Sequence, residues 1–186
     1  TAMSVRSVLV TVVGTISIWI GLVALPIYAN SELPFNWVRN LNSTAWGYME
    51  SEDPSKFGSH RVVERFELRM GDCNRNHDSD DCNLNQERIE LVELDRSVVP
   101  LIGEVWYRWK MYFPENYKLI YPAKTYHIRF LEKGEQPVWS FEVGSTGVFW
   151  LGSYVSDELA YYPLIDEDEL LSQWHEFSVH SRWGPD

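Results

Sequence analysis

Beyond residue 30 the chain alternates hydrophobic and polar positions in short runs, which Gly, Pro, Asn and Asp residues separate. In the clearest run, 105–113, Tyr107 and Trp109 fall on one face and Trp106 and Arg108 on the other. A period of two residues is that of a β-strand with one buried face. No long segment has the apolar spacing of a helix, so the pattern predicts a single all-β domain, a sandwich or barrel. The predicted strands are 62–70, 87–94, 105–113, 125–131, 138–143, 147–151 and 174–183.

The N-terminal segment has a different pattern. Arg6 is followed by an apolar stretch over 8–29, which ends at Ala29 before a polar run. A positive residue, an apolar core and a terminal small residue are typical of a secretory signal, so we predict that 1–29 is a signal peptide. The stretch is also long enough to span a bilayer, which makes a permanent N-terminal anchor the alternative. In both cases residues 30–186 form a domain outside the cytoplasm, either secreted or periplasmic, or anchored to the membrane.

The polar face of the run 105–113 mixes aromatic and cationic side chains: Trp106, Arg108, Lys110 and Tyr112. Flat rings stack on sugar rings, and Arg or Lys pairs with carboxylate or sulfate. This face therefore indicates a cleft that binds a sugar chain, with a solvated sheet face as the alternative. In the run 125–131, strict alternation places His127 and Arg129 on one face and turns Tyr126 away.

The charge of the chain limits its partners. The net charge of −11 argues against general nucleic-acid binding, which requires a basic surface. Six basic residues but only two acidic ones lie within 105–133, so positive charge is concentrated where an acidic ligand could bind. The acidic run 165–172 is expected to form one short helical turn, because carboxylates favour a helix N-terminus.

The only two cysteines, Cys73 and Cys82, flank a loop rich in Asp and Asn. In an oxidising compartment the expected outcome is a disulfide that closes this loop. The loop residues Asp72, Asp78, Asp80 and Asp81 loosely resemble calcium ligands, but they lack the Gly and Glu spacing of an EF-hand. We therefore expect a solvated loop closed by the disulfide and predict no metal site, with calcium binding as the alternative.

Several motifs follow one another between residues 60 and 183. They are Glu64-Arg65-Phe66-Glu67-Leu68-Arg69, Gly71-Asp72-Cys73, Asp81-Cys82, Gln86-Glu87-Arg88-Ile89-Glu90-Leu91, Gly103-Glu104-Val105-Trp106-Tyr107-Arg108-Trp109, Tyr112-Phe113-Pro114-Glu115-Asn116-Tyr117, Pro122-Ala123-Lys124-Thr125 and Trp174-His175-Glu176-Phe177. In this order they resemble the N-terminal signature of bacterial heparin-lyase-like polysaccharide lyases. The resemblance implies a β-jelly-roll fold and cleavage of a uronic-acid-containing polysaccharide by β-elimination.

That chemistry needs a group that neutralises the uronate carboxylate and a base that removes the adjacent proton. The resemblance makes Arg88 the candidate for the carboxylate, and Glu90 would orient Arg88; an ion pair on a sheet face is the alternative. His127, with Arg129 beside it, is the candidate base, and His175 is the second choice. Arg69 and His175 join the aromatic and cationic face as candidate substrate-binding residues.

Two departures from the family pattern affect the prediction. In the family the strand after Lys124-Thr125 carries a Gln and then a His, whereas Arg129 and Leu131 occupy these places here. Either His127 substitutes as the base or the chain is inactive. The family also continues beyond residue 186 with strands that carry a Tyr and a Lys of the active site, so we expect a jelly roll that is incomplete at its C-terminus.

The first hypothesis is therefore a polysaccharide lyase that needs no cofactor and acts on an acidic polysaccharide, with no stable protein partner implied. The alternative is a non-catalytic jelly-roll module that binds acidic glycans. A glycoside hydrolase on a similar sandwich is a third hypothesis, but hydrolysis requires two carboxylates flanking one bond. Only the region of Glu87 and Glu90 offers such a pair.

Overall fold

A computed structural model describes residues 5–9, 16–21, 37–40, 44–55, 62–73, 80–93, 103–132, 137–154 and 159–184. These residues form β-strands, turns and irregular segments, and they contain no helix. The strands are β1 (Val5–Leu9), β2 (Ile16–Gly21), β3 (Trp37–Asn40), β4 (Tyr48–Ser51), β5 (Val63–Leu68), β6 (Glu90–Glu93), β7 (Gly103–Tyr112), β8 (Thr125–Glu132), β9 (Pro137–Val143), β10 (Phe149–Ser153), β11 (Ala160–Ile165) and β12 (Trp174–Trp183).

Two five-stranded antiparallel sheets contain most of the strands. The first sheet has the order β1-β8-β9-β10-β11, and the second has the order β12-β7-β2-β5-β4. Strands β3 and β6 form a separate antiparallel pair. Aromatic contacts join the inner faces of the two large sheets, for example Trp109 of the second sheet against Phe141 of the first. The arrangement confirms the all-β prediction and is consistent with a β-sandwich.

Alternation along β7 explains how the core forms. Trp109 and Met111 are buried, whereas Trp106 and Arg108 on the opposite face are exposed, as the sequence predicts. The whole length of β7 pairs with β12, from Gly103 opposite Trp183 to Tyr112 opposite Trp174. The long β7–β12 ladder therefore presents one aromatic face to the core and one polar face to solvent.

The two N-terminal strands fall within the predicted signal peptide. Strand β1 pairs with β8, and β2 lies between β5 and β7. Cleavage of a leader near Ala29 would remove both strands, so these sheets describe the chain before any cleavage. The signal peptide stays a prediction, and none of the described residues belongs to a helix that could span a membrane.

The acidic run 165–172 does not form the helical turn that the sequence suggested. Residues 167–169 form a turn in which the Glu169 N–H donates to the Asp166 carbonyl oxygen over 3.1 Å, and Leu171 then forms an isolated bridge with Phe113. The bridge draws the segment onto the end of β7 and prevents it from continuing as a helix.

Candidate functional site

A β-bulge in β8 changes which side chains share a face. Tyr126 pairs with Glu142 and Ile128 pairs with Phe141, so His127 is the extra residue between two partners that are adjacent in β9. An extra residue reverses the alternation beyond it. Tyr126 and Arg129 therefore share the outer face of the first sheet, although they are three positions apart. The prediction that His127 and Arg129 share a face is wrong for this reason.

His127 points into the core instead. Its side chain is fully buried, with Phe113 and Phe149 packed around the ring. The Nε2 atom lies 3.2 Å from the Tyr117 hydroxyl and 3.1 Å from Thr125 Oγ1. Burial lowers the pKa of His127 to about 3, because the surroundings cannot solvate the charged form. A neutral ring in this position has no route to a bound polymer.

Polar side chains from four neighbouring segments meet on the outer face of the first sheet. At its centre the Lys124 ammonium donates to Glu142 Oε1 over 2.9 Å and to the Tyr161 hydroxyl over 2.9 Å. It also lies above the Tyr126 ring, 4.8 Å from the centroid, and the Arg129 guanidinium lies 5.3 Å from the same ring centre. We call this group the outer-face cluster; its members are Lys124, Tyr126, Arg129, Ser140, Glu142, Tyr154 and Tyr161.

Gly152 makes the close packing of the cluster possible. A Cβ atom at this position would lie 2.7 Å from Ser140 Oγ and 3.0 Å from the Tyr161 ring. Only glycine allows Tyr154 and Tyr161 to approach the strand over Ser140. The Ser140 hydroxyl in turn donates to Glu142 Oε2 over 2.9 Å, so the carboxylate is bonded through both of its oxygens.

Of the three tyrosines in the cluster, Tyr154 and Tyr161 have pKa values shifted in opposite directions. Burial raises the pKa of Tyr154, but hydrogen bonds from Tyr161 and Ser140 and the Lys124 charge outweigh this, so the net pKa lies below the usual value. Burial raises the pKa of Tyr161, and its bond to Tyr154, 3.2 Å between the two oxygens, adds to the increase. For Lys124, burial disfavours the ammonium form, but bonds to Tyr161 and Glu142 prevail and raise its pKa. The lysine therefore stays cationic beside the phenols.

Arg88 and Glu90, which the sequence proposes as partners, lie next to this cluster. Arg88 forms an ion pair with the fully buried Asp81, and its Nη1 atom lies 3.9 Å from Glu90 Oε1. Burial lowers the pKa of Arg129, the Glu90 carboxylate opposes that shift, and the Arg88 charge adds to it. The Arg88 and Arg129 guanidiniums therefore repel each other at the edge of the outer-face cluster. The predicted contact between Arg88 and Glu90 is present.

The predicted disulfide between Cys73 and Cys82 is confirmed. Each cysteine follows an aspartate that holds the segment around Arg88. Asp72 accepts hydrogen bonds from Trp46 Nε1 over 2.9 Å and from the Arg69 N–H over 2.7 Å, and its carbonyl oxygen accepts from the Arg88 N–H over 3.2 Å. The covalent link thus fixes the base of the loop that positions Arg88.

The loop closed by this disulfide also contains the aspartates that the sequence suggests as candidate calcium ligands. Asp78 lies outside the described residues, while Asp80 accepts hydrogen bonds from the backbone and side chain of Asn83. Across the ranges that the structure describes, no cluster of three metal-ligating side chains is present.

The aromatic and cationic residues of β7 do not belong to the outer-face cluster. Trp106 and Arg108 lie on the outer face of the second sheet, on the far side of the core from Arg129. Lys110 is half-buried and pairs with Glu176 over 3.3 Å, and Tyr112 is buried against Trp174. The prediction that one cleft combines these side chains with Arg129 is wrong, because adjacent strands in the sequence enter different sheets.

Two further predicted substrate-binding residues also lie elsewhere. Arg69 is exposed, donates to Glu67 over 2.7 Å and lies over the Trp46 ring at 4.4 Å. His175 lies 2.9 Å from the Leu170 carbonyl oxygen through Nε2, as expected for a residue that packs inward at a strand end. It lines an apolar groove of about 530 Å³ between β11 and β12, formed also by Phe141, Leu151, Phe177 and Val179.

Sequence reasoning missed Lys124, Glu142, Tyr154 and Tyr161 as site residues. Two features of the sequence point to them. Ser140 and Glu142 place polar groups in an otherwise apolar strand, and Gly152 interrupts the next strand, as happens where another group approaches closely. Comparison of the chain with protein-family models, with curated proteins and with solved structures finds no match. The resemblance to heparin-lyase-like enzymes therefore rests on the motifs alone.

Proposed function

We propose that the protein is a polysaccharide lyase that cleaves a uronic-acid-containing polysaccharide by β-elimination, with a jelly-roll sandwich as its scaffold. The observation that carries the proposal is the outer-face cluster. Together with the adjacent Arg88, the cluster combines two guanidiniums, those of Arg88 and Arg129, with a hydrogen-bonded pair of phenols, Tyr154 and Tyr161. Cationic groups beside a base and an acid are what β-elimination from a uronate requires.

The guanidiniums supply the first requirement. The proton next to a uronate carboxylate is weakly acidic, because its removal places further negative charge on a group that is already anionic. Arg129, supported by Arg88, would pair with the carboxylate and stabilise the enolate-like intermediate. Glu90 and Asp81 hold Arg88 in place from the protein side.

The two phenols supply the second requirement. Groups in one site whose pKa values are shifted in opposite directions are suited to opposite roles. Tyr154, with its lowered pKa, is the base in its phenolate form and takes the proton of the C–H bond. Those electrons form the new double bond, the bond from the β-carbon to the glycosidic oxygen breaks, and the departing oxygen receives the proton of Tyr161. Lys124 lies beside both oxygens and stabilises the phenolate.

One observation favours the second candidate function, a non-catalytic module that binds acidic glycans. The Arg88 guanidinium is paired with Asp81 and lies near Glu90, so part of its charge is already neutralised. A site in which Arg88 is purely structural would still attract an anionic chain through Arg129 and Lys124.

The disulfide supports a location outside the cytoplasm, because such bonds persist in oxidising compartments. An exported protein would meet extracellular polysaccharides, and the predicted signal peptide agrees with this location. The net charge of −11 does not prevent an anionic polymer from binding where cations are locally concentrated.

The test is to incubate the protein with alginate, glucuronan and glycosaminoglycans and to follow the absorbance of the unsaturated product. We expect a rise with at least one uronate polymer. We expect Arg129→Gln to reduce the rate at least about 100-fold. Lys118→Gln removes one exposed charge outside the cluster and should leave the rate unchanged. Binding of a polymer without any rise in absorbance would support the non-catalytic module instead.

A further inference from the structure

The outer face of the β7–β12 ladder has its own arrangement of rings and charges. Trp106 of β7 stacks on His180 of β12, with ring centroids 4.3 Å apart and planes inclined by 8°. Trp106 keeps 49% of its surface in solvent although His180 covers one side of its ring. The open remainder of the indole is a flat, largely apolar surface on an otherwise polar sheet face.

Two exposed arginines flank the stacked rings. Arg182 lies opposite Glu104, one row of side chains before the Trp106–His180 row, and Arg108 lies one row after it. The rows that contain the two arginines are separated by four residues, or about 13 Å along the strands. Both arginines are exposed, and neither forms an ion pair with any residue in the described part of the chain.

One of the nearby carboxylates is offset by a cation. Glu176 lies 3.3 Å from the Lys110 ammonium, whereas Glu104 Oε2 lies 3.5 Å from His180 Nε2, which carries a charge only when it is protonated. The guanidiniums of Arg108 and Arg182 outnumber the remaining Glu104 carboxylate, so this face keeps a net positive charge. On a chain with a net charge of −11, two guanidiniums without an ion-pair partner among the described residues therefore lie on either side of a flat ring.

From this geometry we infer that Trp106, Arg108, His180 and Arg182 form a second binding surface, which holds an acidic glycan chain away from the outer-face cluster. A sugar ring stacks on the indole, and the guanidiniums pair with carboxylate or sulfate groups of the neighbouring sugars. We call it the Trp106 platform. The inference shares its ligand class with the proposed function but uses the opposite face of the sandwich, so it does not depend on catalysis.

A purely structural role is the competing explanation. Cross-strand aromatic pairs stabilise antiparallel sheets without binding anything. That role accounts for the stacked rings but requires neither the two exposed arginines nor the exposed half of the indole. Binding and stability therefore have to be measured separately.

The experiment is electrophoresis of the full chain in native gels that contain heparin, alginate or neutral dextran. We expect heparin or alginate to retard the protein and dextran to have no effect. We expect two variants to weaken the apparent affinity about tenfold: the single substitution Trp106→Ala and the double substitution Arg108→Ala with Arg182→Ala. Trp106→Phe keeps a ring and should retain part of the affinity.

Two variants serve as controls. Lys118→Ala removes an exposed cation from elsewhere and should bind as the wild type does. Arg129→Gln alters the outer-face cluster and should leave retardation by the platform in place. Thermal unfolding of each variant shows whether the fold is retained.

Three results would overturn the inference: no retardation of the wild type by either anionic polymer, wild-type affinity in the Trp106 and arginine variants, or an equal loss in Lys118→Ala. Loss of binding in Arg129→Gln alone would assign the ligand to the outer-face cluster and leave the lyase proposal intact. If the protein cleaves no polymer but its retardation in the gel depends on Trp106, the result would support the Trp106 platform and reject the lyase proposal.

Discussion

The buried His127 makes the stability of the fold depend on pH in a way that can be calculated. In the unfolded chain a histidine has a pKa of about 6.5. In the folded protein burial lowers the pKa of His127 to about 3. Between these values the unfolded state binds more protons than the folded state, so the free energy of unfolding falls as the pH falls. The stability that depends on neutral His127 is fully present above about pH 6.5 and is lost progressively down to about pH 3.

The size of the effect follows from the two pKa values. At pH 5 the unfolded chain has gained almost a full proton at this position and the folded protein almost none. The resulting loss of stability relative to pH 8 is about 2 kcal/mol. This is a large fraction of the total stability of a small domain, which is typically about 5–15 kcal/mol.

The assay is urea unfolding followed by tryptophan fluorescence at pH 8 and at pH 5. His127→Gln removes the titrating group and keeps an amide that can bond Tyr117 and Thr125. His127→Phe removes the polar ring and leaves those two hydroxyls bonded to each other over 2.8 Å. Other groups titrate equally in wild type and variants. We therefore compare how much the free energy of unfolding of each protein changes between pH 8 and pH 5. Wild type should lose about 2 kcal/mol more than either variant.

Equal losses in the wild type and the variants would refute the reasoning. They would mean that folded His127 takes up a proton as readily as the unfolded chain does. In that case the ring has access to solvent, and the argument against His127 as a catalytic base would fail as well.

Three other outcomes follow from the structure. Gly152→Ala should destabilise the fold by about 1–3 kcal/mol and abolish polymer cleavage, because the new methyl group meets Ser140 and Tyr161. Thermal unfolding measures the loss of stability, and Gly184→Ala is the control because there is open space around Gly184. Replacement of both Cys73 and Cys82 by serine should cost about 2–3 kcal/mol, and an unchanged urea midpoint would contradict the role given to the disulfide. N-terminal sequencing of the exported protein should begin near Asn30; a chain that begins before residue 5 would show that the apolar segment is retained.

The strands could be predicted from the sequence because their signal is local. Alternation over 105–113 identifies β7 and its correct inner face, and the run 174–183 identifies β12. Strand β11 was missed, because 160–165 is apolar or aromatic throughout and has no period of two. The disulfide was predictable because the chain has only two cysteines.

The site was predictable only in part. Arg88, Glu90 and Arg129 were identified, and the structure brings them together. The bulge at His127 adds one residue without any signal in composition, and it exchanges the faces of Tyr126 and His127. The remaining members of the cluster come from β9, β10 and β11, so their proximity depends on strand order and register, which alternation does not specify.

The central claim is that the outer-face cluster, rather than His127, removes the proton from the substrate. The most direct test is the rate of unsaturated-product formation by Tyr154→Phe and His127→Gln on the polymer that the wild type cleaves. We predict a loss of at least about 100-fold in Tyr154→Phe, less than about tenfold in His127→Gln, and none in Tyr121→Phe, an exposed tyrosine outside the cluster. Full activity in Tyr154→Phe together with an inactive but folded His127→Gln would contradict the account.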